Sequence, residues 1–171
     1  ISNNFSFENK INLEKLSFKY DGQSDFVLKD LSFEIKKNNQ LIGIFGPSGS
    51  GKTTFIDILI GLYRPQKGNY YIDDKDFYKY GQFDKIFGYV PQNTFLFDDT
   101  IKNNILLTLK DRDFSDEKFN QILKEAELYD FVMSCKDKEN TLIGENGIRI
   151  SGGQRQRIGL ARALLSNPYI L

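Results

Sequence analysis

The residues most suited to chemistry form one run, Gly46-Pro47-Ser48-Gly49-Ser50-Gly51-Lys52-Thr53, with Thr54 directly after it. Glycine has no Cβ, so Gly46, Gly49 and Gly51 let the chain bend tightly and bring its backbone close to a ligand. At the start of a helix, backbone N–H groups that lack an intrahelical acceptor point outward, and together with the helix dipole they favour an anion. Lys52 adds a full positive charge suited to β and γ phosphates, and the Thr53 hydroxyl can ligate Mg²⁺. The spacing is that of a phosphate-binding P-loop, which makes residues 46–54 the candidate nucleotide site.

Such a loop needs a strand before it and a helix after it. The apolar run Leu41-Ile42-Gly43-Ile44-Phe45 is predicted as that strand, after a turn at Asn38-Asn39, and Thr53–Leu62 as that helix, stopped by Gly61 and Pro65. Residues 11–36 alternate apolar and polar, as antiparallel strands do: Leu16, Phe18 and Tyr20, a turn at Asp21-Gly22, then Leu31, Phe33 and Ile35. Ile11 and Leu13 carry the same period in the opposite phase, which places a bulge near Glu14-Lys15. Residues 68–74 are predicted as a strand leading to a turn, and Ile86–Val90 as a buried strand closed by Pro91.

Between about 100 and 140 the period becomes helical. Phe119, Ile122, Leu123 and Ala126 share a face, Ser115 is the expected N-cap, and Asp116 and Glu117 occupy the first turn. Leu128–Met133 is a further short helix. Ser151 caps a last helix through Leu165, with Ile158, Ala161 and Leu165 as its buried stripe and Leu160 and Leu164 as a second. Pro168 ends it, and Tyr169-Ile170-Leu171 begins another strand.

At 171 residues the chain is expected to be one domain, or one domain with an insert. Its 23 basic and 23 acidic side chains cancel, so no overall field draws it to nucleic acid. A single cysteine, Cys135, rules out an internal disulfide framework and fits a reducing compartment. No apolar run approaches the length of a membrane span, so the chain is expected in the cytosol or at the cytosolic face of another component. There is no histidine, the commonest general base. Abundant Asn, Lys, Ile, Phe and Tyr point to an AT-rich, bacterial genome.

Three separated motifs in one order give the chain its resemblance. Besides the P-loop, Tyr89-Val90-Pro91-Gln92 resembles the Q-loop, and Ile150-Ser151-Gly152-Gly153-Gln154-Arg155-Gln156-Arg157 the signature sequence, of the nucleotide-binding domain of ATP-binding cassette (ABC) transporters. Ala161-Arg162-Ala163-Leu164 continues the match. The resemblance implies ATP and Mg²⁺ as ligands, with Lys52 supplying phosphate electrostatics and Thr53 and Gln92 serving the metal. It implies that Gln92 links the core to the helical insert and that Tyr20 stacks on the adenine ring. Stacking uses only the ring, so phenylalanine should serve at position 20; Tyr20 also continues the alternation of Phe18, which leaves a packing role open. Ser151, Gly152, Gly153 and Gln154 are implied to close over a nucleotide held by a second copy or a paired domain, as two-fold symmetry allows.

Residues 95–105 (Phe95-Leu96-Phe97-Asp98-Asp99-Thr100-Ile101-Lys102-Asn103-Asn104-Ile105) and Gly144-Glu145-Asn146-Gly147 are similar to segments that lie against the transmembrane domain in exporters of this family. The expected parent protein is therefore an exporter of a lipid, a lipid-linked saccharide or a drug-like molecule. Its ATPase domain would face the cytoplasm at the (inner) membrane, with no nucleic acid partner. Ile1 as first residue fits a piece of such a protein.

The family pattern also requires an acidic pair after the Walker B strand and, later, a histidine. No residue here is given the role of catalytic base, and Asp73, Asp74, Asp98 and Asp99 are assigned to solvated turns. The expected fold is an α/β P-loop NTPase core lacking its C-terminal core strands. Residues 1–36 and 68–74 form an antiparallel β part, and 37–67 with 84–92 the P-loop core. Residues 95–165 form a helical insert with the signature helix, and 169–171 start the Walker B strand. Two other functions stay open: a soluble ABC ATPase acting on ribosomes or DNA, and a nucleotide-binding module without turnover.

Overall fold

The computed structural model describes residues 7–38, 40–80, 86–107, 114–144 and 147–171. Two compact units make up the chain, Ile1–Ile86 and Phe87–Leu171.

In the first unit, β1 (Lys10–Phe18) pairs antiparallel with β2 (Leu28–Lys36) and with β3 (Lys67–Ile72), and β4 (Lys75–Asp76) completes a sheet of order β2-β1-β3-β4. Cross-strand partners Ile11–Ile35, Leu13–Phe33 and Leu16–Leu31 set the register, and Ile11, Leu13 and Leu16 are fully buried. The register breaks between Leu13 and Leu16, where Lys15 takes a φ of 48°, so the bulge lies where the phase change in the sequence puts it. Helix α1 (Lys52–Leu59) buries Thr54, Phe55, Ile58 and Leu59. The Tyr70 hydroxyl of β3 donates to the Leu59 carbonyl at 2.7 Å, tying the sheet to the end of this helix. Helix α1 stops three residues before the sequence-based boundary. Gly61, at φ 82°, turns the chain so that its N–H reaches the Ile58 carbonyl and the Leu62 N–H the Asp57 carbonyl, a Schellman stop. A short helix α2 (Phe77–Tyr80) follows β4, with the Phe77 ring stacked 3.9 Å from that of Tyr70.

The second unit is helical. Helices α3 (Ile101–Leu106), α4 (Asp116–Glu125), α5 (Tyr129–Ser134) and α6 (Gly152–Leu164), with a 3₁₀ turn at Lys138–Asn140, surround a core that includes Leu96, Ile105, Phe119, Leu123, Val132, Ile143, Ile158 and Ala161. Thr100, Ser115 and Ser151 cap α3, α4 and α6 by accepting a backbone N–H from three residues on. Among the described residues no helix is long and apolar enough to cross a membrane.

Two expected strands are corrected. Residues 41–45 join no ladder among the described residues; Leu41 is fully solvent-exposed and Phe45 is 92% exposed. Residues 86–90 contribute one parallel bridge, Phe87 to Ile170, with the Gly88 N–H donating to the Ile170 carbonyl at 2.8 Å. An apolar run sets up one face of a strand, but the strand itself is made by bonds to a neighbouring backbone. The Asn38-Asn39 turn is described only at Asn38, whose N–H donates to the Lys36 carbonyl. Glu145 and Asn146 lie outside the described residues.

Candidate nucleotide site

The P-loop enters α1 through Gly51, which sits at the N-cap with φ 86° and offers no side-chain cap. The first-turn amides of α1 are therefore left uncapped by any side chain. A Cβ on Gly51 would lie 2.9 Å from Leu28 Cδ2 and 3.3 Å from the Val27 carbonyl oxygen, so both backbone angle and space call for glycine here. Lys52 folds back across the loop: its Nζ donates to the Gly46 carbonyl at 2.9 Å, the Pro47 carbonyl at 2.7 Å and Ser50 Oγ at 3.4 Å. Thr53 is exposed, and Thr54 is buried at 4% exposure.

A cleft of about 370 Å³ opens on this loop, lined by Tyr20, Gln23, Val27, Ser48, Gly49, Gly51, Lys52, Thr53 and Thr54. The loop and the aromatic residue expected to serve it, 34 positions apart in sequence, thus share one cavity, and the Tyr20 hydroxyl lies 2.8 Å from Thr54 Oγ1. Tyr20 is held from several sides. Its ring meets those of Phe18 and Tyr63 edge-on, at 5.1 and 5.5 Å between centroids. The preceding residue, Lys19, exchanges both backbone bonds with the side-chain amide of Gln66. The cleft fits a polyphosphate in its donor set: open helix-start amides, an ammonium and hydroxyls. For Mg²⁺ the loop offers the Thr53 hydroxyl, which suits a cation that keeps water and phosphate oxygens as its other ligands. Among the described residues no cluster of three His, Cys, Asp or Glu side chains forms a metal site.

Gln92 and the signature residues belong to the second unit. Val90, Pro91, Gln92, Gly153, Gln156, Arg157 and Leu160 line a cleft of about 520 Å³. Ser151 and Gln154 form a capping box: Ser151 Oγ accepts from the Gln154 N–H at 3.2 Å and Gln154 Oε1 from the Ser151 N–H at 2.8 Å. A Cβ on Gly152 would meet nothing within 4 Å, and one on Gly153 only Ser151 Oγ at 3.9 Å. Packing among the described residues thus places no demand for glycine at either position.

Residues 95–105 lie beside residues 141–144 and Gly147. Thr100 bridges to Leu142, the Ile143 N–H donates to the Asp99 carbonyl, and a Cβ on Gly147 would come 2.7 Å from Leu96 Cδ1. Phe95, Phe97, Leu142 and Ile148 stand exposed along them. Two of the four carboxylates assigned to turns, Asp73 and Asp99, have backbone or side-chain partners. Asp73 accepts from the backbone N–H groups of Glu8, Asn9 and Lys10, and Asp99 Oδ1 from the Thr100 N–H and Asn103 Nδ2. Sequence reasoning did not single out Gln23 and Val27 in the cleft or the support from Tyr63 and Gln66; only nearness to Tyr20 in the chain could have suggested the first two.

A P-loop at a helix start, an antiparallel sheet flanking it and a separate helical unit define a partial P-loop α/β ATP-binding fold. Residues 28–171 match the ABC transporter family profile. The chain is 40% identical over 164 residues to a putative export ATP-binding/permease protein of Rickettsia prowazekii, covering 94% of this chain and 28% of that protein. It is also 40% identical over 167 residues to the mouse ATP-binding cassette sub-family B member 5, covering 96% of this chain and 13% of that protein. The structure of a bacterial Atm1-family ABC exporter with ATP bound matches with a TM-score of 0.82 at 34% identity, over 94% of this chain and 28% of the other. The chain belongs to the ABC transporter family and corresponds to the ATP-binding domain of its export-type members. It spans just over a quarter of the length of the Rickettsia relative.

Proposed function

We propose that the cleft on the P-loop binds ATP with Mg²⁺, and that in the whole protein binding, closure of two such domains and hydrolysis drive export across a membrane. The observation that carries this is the gathering of Tyr20, Lys52, Thr53 and Thr54 around one cavity at the uncapped start of α1. Lys52 has three donors, and the longest of its bonds, to Ser50 Oγ, is the one most readily exchanged for a phosphate oxygen. Bound Mg²⁺ neutralises phosphate charge, and the Thr53 hydroxyl and Gln92 are the residues proposed to serve it.

Ser151, Gly152, Gly153 and Gln154 are proposed to close over the nucleotide of a second copy or a paired domain, where two Cβ-free positions let a backbone approach a phosphate. The exposed Phe95, Phe97, Leu142 and Ile148 on adjoining segments suit a docking face for the transmembrane domain, which supports a position at the cytoplasmic face of the (inner) membrane for the whole protein. The two units are then parts of one ATPase domain. Export of a lipid, a lipid-linked saccharide or a drug-like molecule is in keeping with the export-type relatives. These 171 residues alone are proposed to bind nucleotide without turnover, since none of their carboxylates is assigned as a general base.

Titration of a fluorescent ATP analogue against the wild-type chain and Lys52→Ala tests the site. Each charge-assisted bond lost should weaken binding by about 1.5–3 kcal/mol; unchanged affinity would overturn the assignment.

A further inference from the structure

We infer that the Tyr20 hydroxyl is a positioning group for Thr54, fixing the threonine hydroxyl so that its proton faces the cleft and is given to a phosphate oxygen. The inference rests on the nucleotide site proposed above and adds to the ring of Tyr20 a second, separable task.

Thr54 lines the cleft while being almost wholly buried, and its Oγ1 lies 2.8 Å from the Tyr20 hydroxyl. A hydroxyl has one proton to give and lone pairs to receive with. Two hydroxyls in contact share one proton between them, so one of the two keeps a proton free. Should Thr54 donate to Tyr20, it has none left for a ligand; should Tyr20 donate to Thr54, the threonine proton is free. A phosphate oxygen only accepts, so an anion in the cleft selects the second order.

A threonine inside a helix otherwise turns its proton back to a carbonyl three or four residues earlier. The tyrosine gives Thr54 Oγ1 a different partner. For that the tyrosine must not wander, and the edge contacts with Phe18 and Tyr63 and the clamp of Gln66 on Lys19 hold it in place. Phenylalanine would keep the ring and lose the hydroxyl.

The test is equilibrium binding of ATP and of adenosine to the full chain, measured by competition against a fluorescent ATP analogue. The variants are Tyr20→Phe, Thr54→Val, Thr54→Ser, Tyr20→Phe combined with each Thr54 variant, and Lys52→Ala. Tyr20→Phe is expected to weaken ATP about three- to tenfold and to leave adenosine unchanged. It should have no further effect in the Thr54→Val background, whereas Thr54→Ser, which keeps the hydroxyl, should restore the sensitivity. Wild-type ATP affinity in Tyr20→Phe alongside lost binding in Lys52→Ala would overturn the inference and leave the site standing. Equal loss for ATP and adenosine, or the same loss in the Thr54→Val background, would also overturn it. An unaffected Lys52→Ala would instead remove the site itself.

Discussion

Arg162 and Asn104 are joined twice: Arg162 Nε donates to the Asn104 carbonyl at 2.6 Å and Nη2 to the Asn104 side-chain Oδ1 at 3.2 Å. The remaining arm, Nη1, donates to the Phe95 carbonyl at 2.6 Å. Asn104 is fully buried and uses its amide on the Phe97 N–H and carbonyl and on the Thr100 carbonyl. One guanidinium fork thus fastens α6 to α3 and to the segment that exposes Phe95 and Phe97. Burial lowers the Arg162 pKa below its ordinary value.

Arg162→Ala should cost about 2–4 kcal/mol, because two backbone acceptors and Asn104 Oδ1 lose a charged donor. Arg162→Lys should recover only part, since a point charge cannot reproduce the fork. Urea unfolding of the three proteins measures this, and equal midpoints would show that the fork contributes nothing.

Gly68→Ala should destabilise the first unit by upwards of about 2 kcal/mol. Gly68 has φ 89°, and a Cβ there would lie 2.4 Å from the Glu14 carbonyl oxygen and 2.6 Å from that of Lys15, at the β1 bulge. Backbone atoms cannot swing aside as a side-chain tip can. Thermal melts alongside Gly22→Ala, where a Cβ meets nothing within 4 Å, separate the steric cost from that of positive φ alone.

Asp73 links stability to pH. Burial raises its pKa, but the backbone N–H groups of Glu8, Lys10 and Asn9 and the charge of Lys37 outweigh that and leave it below the ordinary carboxylate value. A depressed folded-state pKa stabilises above the unfolded value, and the gain is lost as pH falls through the folded one. Asp73→Asn should therefore be less stable than wild type at neutral pH, with the gap closing in acid below the ordinary carboxylate range. Melting temperatures from pH 7 downward check the sign; a gap that widens in acid would contradict it.

The exposed stretch 41–45 should drive self-association. Among the described residues Leu41 and Phe45 are the most exposed large apolar side chains, and the backbone beside them joins no ladder. Unpaired apolar backbone is a template for another chain. Light scattering should show association that rises with concentration and is reduced by Leu41→Lys; a monomer at all concentrations would show the stretch to be inert.

What could be read in the sequence follows from how locally each feature is determined. The P-loop was legible because its glycines and Lys52 stand at a fixed spacing within eight consecutive residues, and Ser115 and Ser151 were legible as caps because the bond each makes reaches only three residues on. The bulge could be read from a phase change inside one strand. The strand at 41–45 could not, because a ladder depends on a partner the apolar pattern does not name. Nor could the need for glycine at position 68, which only the bulge packed against it makes plain. The grip of Gln66 on Lys19 joins residues 47 positions apart and leaves no mark on either.

The ring cluster around Tyr20 also has an optical consequence. The chain has nine tyrosines and no tryptophan, so its ultraviolet emission comes from tyrosine unmasked. Tyr20 lines the cleft, with Tyr63 edge-on against it. A base stacked on Tyr20, as proposed above, would quench part of that emission, so occupancy of the cleft could be followed by the protein's own light, with no dye attached and no residue replaced.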